Sequence, residues 1–110
     1  MSTAADMIDW ARTEELRAEV GEDDFAEIAG LFLSELAETA EALSDGLPPA
    51  TLSDMFHGLK GSALNLGFTD VATRAAEGEA APASADIPAL QAACAAAMRA
   101  FSARYGAGVI

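Results

Sequence analysis

Residues 49–67 read PATLSDMFHGLKGSALNLG and hold the only histidine and the only lysine of the chain, His57 and Lys60. Proline can open a helix but not continue one, and glycine often closes one, so Pro49 and Gly67 bound a predicted helix over about 49–66. At about 100° per residue, Leu52, Met55, Phe56, Leu59, Ala63 and Leu66 fall within an arc of roughly 100°, which is a core seam. His57, Lys60, Gly61 and Leu64, at i, i+3, i+4 and i+7, make a second stripe that begins beside the seam and turns to solvent. The histidine is expected to be presented, not buried.

A helix with one buried seam needs partners, and the flanking sequence supplies them. A short helix is predicted from about Asp9 to Val20, with Asp9 as N-cap, Gly21 as stop, and Trp10, Leu16 and Val20 turned inward. A longer one, capped by Asp23 or Asp24, runs to about Ser44 with Phe25, Ile28, Ala29, Phe32, Leu36, Ala40 and Leu43 on its apolar stripe. Beyond Gly67, Thr69 or Asp70 caps a helix that carries Val71, Ala72, Ala75 and Ala76 and ends near Ala81. After APASADIP, Asp86 and Pro88 start the last, with Ile87, Leu90, Cys94, Ala97, Met98, Phe101 and Tyr105 in line. The tail 106–110 is expected to fray. The expected fold is all-α: an antiparallel four-helix bundle with the short N-terminal helix packed across one end, one domain over residues 1–110.

Composition narrows the function. Eighteen acidic residues against six basic ones give a formal charge of −12, which would repel nucleic acid and anionic membrane surfaces. One cysteine, Cys94, cannot form an internal disulfide, and its place on the last stripe reads as core. The first ten residues lack a secretory signal and no run is long enough to span a bilayer, so a cytoplasmic location is expected. Zinc is excluded by inventory, because one His and one Cys cannot supply three or four ligands. A Ser-His-Asp triad drawn from Ser53 or Ser62 with Asp54 has no nucleophile elbow or oxyanion hole to complete it.

The outward stripe remains. A lone helical histidine is usually an ordinary surface residue, but here two glycines, Gly58 and Gly61, flank its turn. Each costs a helix about 1 kcal/mol relative to alanine, which suggests that clearance is needed. Gly61 leaves space beside the imidazole, and Lys60 brings an ammonium to the same space. An open imidazole, a cation and cleared volume suit acceptance of a phosphoryl group, since neutral imidazole is a nucleophile near pH 7 and the adduct needs a counter-charge. Leu64 is the expected exposed anchor for a partner, with Leu33 and Phe68 as possible additions. A transient interface of this kind is apolar with charges at its rim.

The string FHGLKGSALNLG, residues 56–67, resembles the signature of histidine phosphotransfer (HPt) domains at His57, Leu59, Lys60, Gly61, Ser62, Ala63, Leu66 and Gly67. Glu79 also stands where the helix after the motif commonly carries a glutamate. The resemblance implies a helical bundle whose histidine takes a phosphoryl group from a phospho-aspartyl receiver or a histidine kinase system and returns it to a receiver aspartate. On that reading His57 is phosphorylated at Nε2, Lys60 steadies the phosphoryl oxygens, Gly61 keeps the face open and Ser62 supports the helix. Response-regulator receiver domains and a sensor or hybrid histidine kinase would be the partners. The chain would act as a monomeric carrier with no cofactor, no metal and no kinase or ATPase activity of its own, the Mg²⁺ belonging to the receiver. The sequence departs from the family pattern at Phe56, Gly58, Arg74 and Gly78.

Three rivals are weighed against this reading. A phosphoacceptor region of a larger histidine kinase is disfavoured by Met1 and by a chain that ends soon after the last helix. An acyl-carrier-like protein would need Asp-Ser-Leu, whereas residues 52–55 read LSDM. A bundle that only docks partners would leave His57 incidental.

Overall fold

The computed structural model describes residues 8–106. Fraying expected of 107–110 lies outside these, as does most of the N-terminal decamer. Five α-helices and one 3₁₀ turn make up the described fold, and no strand occurs among the described residues: α1 Trp10–Val20, α2 Glu22–Ala42, α3 Pro49–Leu66, α4 Thr69–Ala80, the 3₁₀ turn Pro82–Ser84, and α5 Ile87–Tyr105. No helix among them is long and apolar enough to cross a membrane.

Local chemistry sets most boundaries. The Asp9 carboxylate accepts from the Arg12 amide at the start of α1, and Asp86 does the same for Ala89 at the start of α5. Each satisfies one of the amides that a helix start leaves unpaired. Helix α2 begins earlier than expected, directly after Gly21. With φ +85° this glycine both ends α1 and starts α2, so no linker separates them and neither Asp23 nor Asp24 is the cap. Glu22, Asp23 and Asp24 instead fill the first turn, where the helix dipole favours negative charge. At the other end α2 stops at Ala42, short of Ser44. Helix α4 has Phe68 at its N-cap with no side-chain cap bond, so Thr69 belongs to the helix.

The buried seam of α3 comprises Leu52, Phe56, Leu59, Ser62, Ala63 and Leu66. Around it, α2 buries Phe25, Ala29, Leu33, Leu36 and Ala40, and α5 buries Ile87, Leu90, Ala93, Cys94, Ala97 and Phe101. The α2 stripe is rotated from the expected one, because Leu33 goes fully inside while Ile28 and Phe32 are only half-buried.

Helix α1 is tied to the end of α3. The Asp9 amide donates to the Gly67 carbonyl at 2.6 Å, and the wholly buried Thr13 hydroxyl donates to the Leu66 carbonyl at 2.7 Å. These bonds pair two of the carbonyls that the C-terminus of α3 leaves open. On the far side, Gln91 Nε2 donates to the Ala40 carbonyl at 2.8 Å and ties α5 to the end of α2.

Phe56 and Gly78 depart from the family pattern together, and the packing shows why. A Cβ at Gly78 would lie 2.9 Å from three atoms of the Phe56 ring, which is 1 % exposed. The large residue on α3 occupies the space that the small one on α4 vacates. Gly78→Ala should therefore overpack the site by about 1–3 kcal/mol, more than the ~1 kcal/mol of helix propensity it gains. In a Phe56→Ala background the same change should instead stabilise. Denaturant titration of the four proteins checks this, and the same sign in both backgrounds would refute it.

Candidate functional site

His57 and Lys60 stand one turn apart on α3 and both reach the same residue of α4. The imidazole Nδ1 lies 2.9 Å from Glu79 Oε2, and Lys60 Nζ donates to Glu79 Oε1 at 2.7 Å. Each carboxylate oxygen thus serves one partner. The bond from Lys60, and then that from His57, hold the Glu79 carboxyl below its ordinary pKa, so it is ionised at neutral pH. Any stability from this cluster is complete above the ordinary carboxylate range and is lost as pH falls through the lowered pKa.

A carboxylate without a proton can only accept, so the contact favours the form of the ring with hydrogen on Nδ1, and in the neutral ring that form leaves the lone pair on Nε2. The ring is 70 % exposed, against 32 % for Lys60 and 29 % for Glu79. Its base is held by the protein while much of its surface meets solvent.

The glycines leave the surroundings open. A Cβ built at Gly58 or at Gly61 would meet no atom within 4 Å outside the local helix. Ser62 is buried between α2 and α3, where its hydroxyl donates to Glu35 Oε2 at 3.2 Å. It supports the helix from behind rather than facing the imidazole.

Of the three apolar residues expected at the partner surface, only Leu64 is outside. It is 54 % exposed and lines a groove of about 440 Å³ together with Ala11, Arg12 and Glu15 of α1. Leu33 and Phe68 are 1 % and 0 % exposed and cannot serve as surface anchors in this fold. Leu33 lies one turn from both Ala29 and Leu36 on the buried stripe of α2. Phe68 follows Gly67, whose left-handed turn reverses the chain, and its ring meets Phe101 edge-on at 5.9 Å. Leu31, 62 % exposed on α2, was not anticipated, because it lies off the apolar stripe and periodicity gives it no weight.

Among the arginines, Arg74 pairs with Asp70 on its own helix at 3.3 Å. Arg12 bridges to Glu15 and Glu19, and Arg17 to Glu14 and Glu22. Arg104 lies over the Trp10 ring, 4.7 Å from its centroid. Cys94 is buried, and desolvation pushes its thiol up to about 11, so it is a poor nucleophile.

In this all-helical fold the exposed imidazole, held by a carboxylate and flanked by a cation, forms an open surface site, not an enclosed pocket. The family model for the Hpt domain matches residues 27–104, well over half of the chain. The chain belongs to the Hpt domain family, whose members are phosphotransfer carriers of two-component signalling. No curated protein and no solved structure gives a significant match to it.

Proposed function

We propose that residues 1–110 form one HPt unit, four antiparallel helices with the short α1 across one end, that relays phosphoryl groups through His57. It accepts from a phospho-aspartyl receiver or a histidine kinase system and delivers to a receiver aspartate, acting as a cytoplasmic monomer. The observation that carries this reading is the division of labour on one ring. Glu79 lies 2.9 Å from Nδ1 of a ring that is 70 % exposed, so that in the Nδ1–H form of the neutral ring Nε2 carries the lone pair.

In the forward step Nε2 attacks the phosphorus of the acyl phosphate. The N–P bond forms as the P–O bond to the aspartate breaks, and the carboxylate leaves with the bonding pair. Positive charge then develops on the imidazole, and Glu79 offsets it through Nδ1–H. Lys60 turns from Glu79 toward the phosphoryl oxygens, whose charge exceeds that of a carboxylate. Gly58 and Gly61 admit the partner's backbone close to the ring. The receiver is expected to bring Mg²⁺, which stabilises charge on the transferring group. This chain contributes a positioned nucleophile, one cation and clearance, and needs no nucleotide site.

Incubation with a phosphorylated receiver and Mg²⁺ should place on the protein a phosphate that is acid-labile and base-stable. Its absence with every receiver of a broad panel would sink the proposal. Lys60→Ala should slow transfer by about 10- to 100-fold, the range for loss of one charged stabilising group, while the thermal transition moves little. Loss of folding in that variant would instead make Lys60 a structural residue.

A further inference from the structure

Glu79 can brace the imidazole only if its own backbone is held, and its position in α4 makes that uncertain without help from outside the helix. It is the next-to-last residue of α4, so its carbonyl is one of the last four that lack an intrahelical donor. The chain leaves the helix immediately afterwards, with Ala81 at φ −141° and the 3₁₀ turn beyond. The Ala81 amide returns to the Glu77 carbonyl at 3.0 Å and does nothing for Glu79. The missing donor comes from α3: Ser53 Oγ donates to the Glu79 carbonyl at 3.2 Å.

Ser53 lies one turn before His57, and the spacing 53, 57, 60 puts all three side chains on one stripe of α3. That stripe grips a single residue of α4 at three atoms. Ser53 takes the main-chain oxygen, while His57 and Lys60 take the two carboxylate oxygens. Phe56, pressed on Gly78, fixes the preceding residue of α4.

We propose that Ser53 is a positioning residue for phosphoryl transfer, which holds the last turn of α4 so that Glu79 keeps His57 in the Nδ1–H form. This rests on the proposed role of His57 and extends the site by one residue that touches neither the ring nor the phosphoryl group. Without the hydroxyl the terminal turn frays, as unsupported helix ends do, and a carboxylate displacement of about 1 Å takes the 2.9 Å contact beyond hydrogen-bond range. The imidazole then divides between its two neutral tautomers, and the fraction with its lone pair at Nε2 falls.

His57 is the only histidine, so its ring nitrogens give the only histidine signals in a long-range ¹H–¹⁵N correlation spectrum. Potassium phosphoramidate serves as a phosphodonor that needs no receiver. Nε2 forms the new N–P bond, the P–N bond of the N-protonated donor breaks, ammonia leaves with the bonding pair, and the ring, now cationic, can release its Nδ1 proton to solvent. On the alkaline plateau of a pH titration of the nitrogen shifts, Ser53→Ala should show a more mixed tautomer than the parent. The same variant should slow phosphorylation by about three- to tenfold, the kinetic equivalent of one net hydrogen bond. Ser53→Thr, which keeps the hydroxyl, should restore both. If Ser53→Ala fails to fold, Ser53→Cys, whose thiol is a weak donor, carries the same comparison.

A wild-type tautomer signature in Ser53→Ala overturns the proposal, whether or not the rate falls, because a merely structural role would leave the ring unchanged. Failure of the wild type to accept phosphate, from phosphoramidate or from any receiver, counts against the relay function. The tautomer comparison would still decide the role of Ser53.

Discussion

Replacing His57 with glutamine should abolish phosphoryl acceptance while leaving the fold intact. The amide nitrogen of glutamine has its lone pair delocalised into the carbonyl and is no nucleophile, and the other described residues place no second imidazole at the site. The loss should be at least about a thousandfold, equivalent to more than ~4 kcal/mol in the barrier, and should look complete in an ordinary transfer assay. Stability should change by no more than about 0.5 kcal/mol, because the ring is 70 % exposed and its bond to Glu79 is at the surface. Transfer from a phosphorylated receiver, followed by acid and base treatment of the product, reads the first expectation; a thermal melt reads the second. Base-stable label that persists on His57→Gln would place the acceptor elsewhere and remove the basis of the relay.

Gly67→Ala should give the largest loss of stability among conservative substitutions near the site. The residue closes α3 at φ +83°, a left-handed conformation that costs an L-residue about 1–2 kcal/mol. Space is the second obstacle. A Cβ there would lie 2.5 Å from the Asp9 carbonyl oxygen and 3.0 Å from Thr13 Oγ1, and a backbone oxygen cannot swing aside as a flexible side chain can. Relief requires α1 to move away, which breaks the Asp9–Gly67 and Thr13–Leu66 bonds and exposes the orphan carbonyls. Together these effects amount to about 3–5 kcal/mol, a large share of the ~5–15 kcal/mol typical of a domain. The transition temperature should fall by about 10–20 °C, followed by circular dichroism. Trp10, the only tryptophan, sits in α1 against Tyr105, so its emission should report the displacement of that helix. A transition within about 2 °C of the parent would show that α1 is not locked to α3 in this way.

How far the fold was legible depended on the range of each interaction. Helix α3 was read to its ends because Pro49 and Gly67 act on their own backbone, and Asp9 was recognised as a cap and Asp86 as a helix start because each acts only three residues away. The start of α2 was misplaced for the converse reason. Asp24 and Glu27 have capping-box spacing, but Gly21 turns the chain at positive φ and the helix is under way before Asp24 is reached. Leu33 was taken as a surface candidate because periodicity measures a stripe's width without knowing what lies on either side of it, and Phe68 because it falls in the turn after α3, where a core reading was equally open. With α1, α3 and α5 all packed on α2, the stripe that goes inside is centred on Ala29, Leu33 and Leu36.

The site divides in the same way. The outward stripe of His57, Lys60, Gly61 and Leu64 followed from helical spacing alone, since all four lie on one helix whose buried arc was evident. Glu79 is one of eighteen acidic residues, and the resemblance could mark its position but not its two bonds. Thr13 drew no reading and Ser53 was weighed only for a triad that could not be completed, yet each supplies the donor that the end of another helix lacks. Phe56 and Gly78 looked like separate departures from the family pattern, although each is the reason for the other.

The sequence by itself determined the all-helical class, the helix that carries the histidine, and the face on which the histidine stands. These depend on backbone preference and on a period of 3.6 residues, which any window of the chain displays. Only the tertiary structure decided which carboxylate braces the ring, which nitrogen of His57 is left free, and which glycine makes room for Phe56. Those depend on residues about 20 positions apart meeting within about 3 Å, and hydrogen-bond direction and steric exclusion act at that distance regardless of order along the chain.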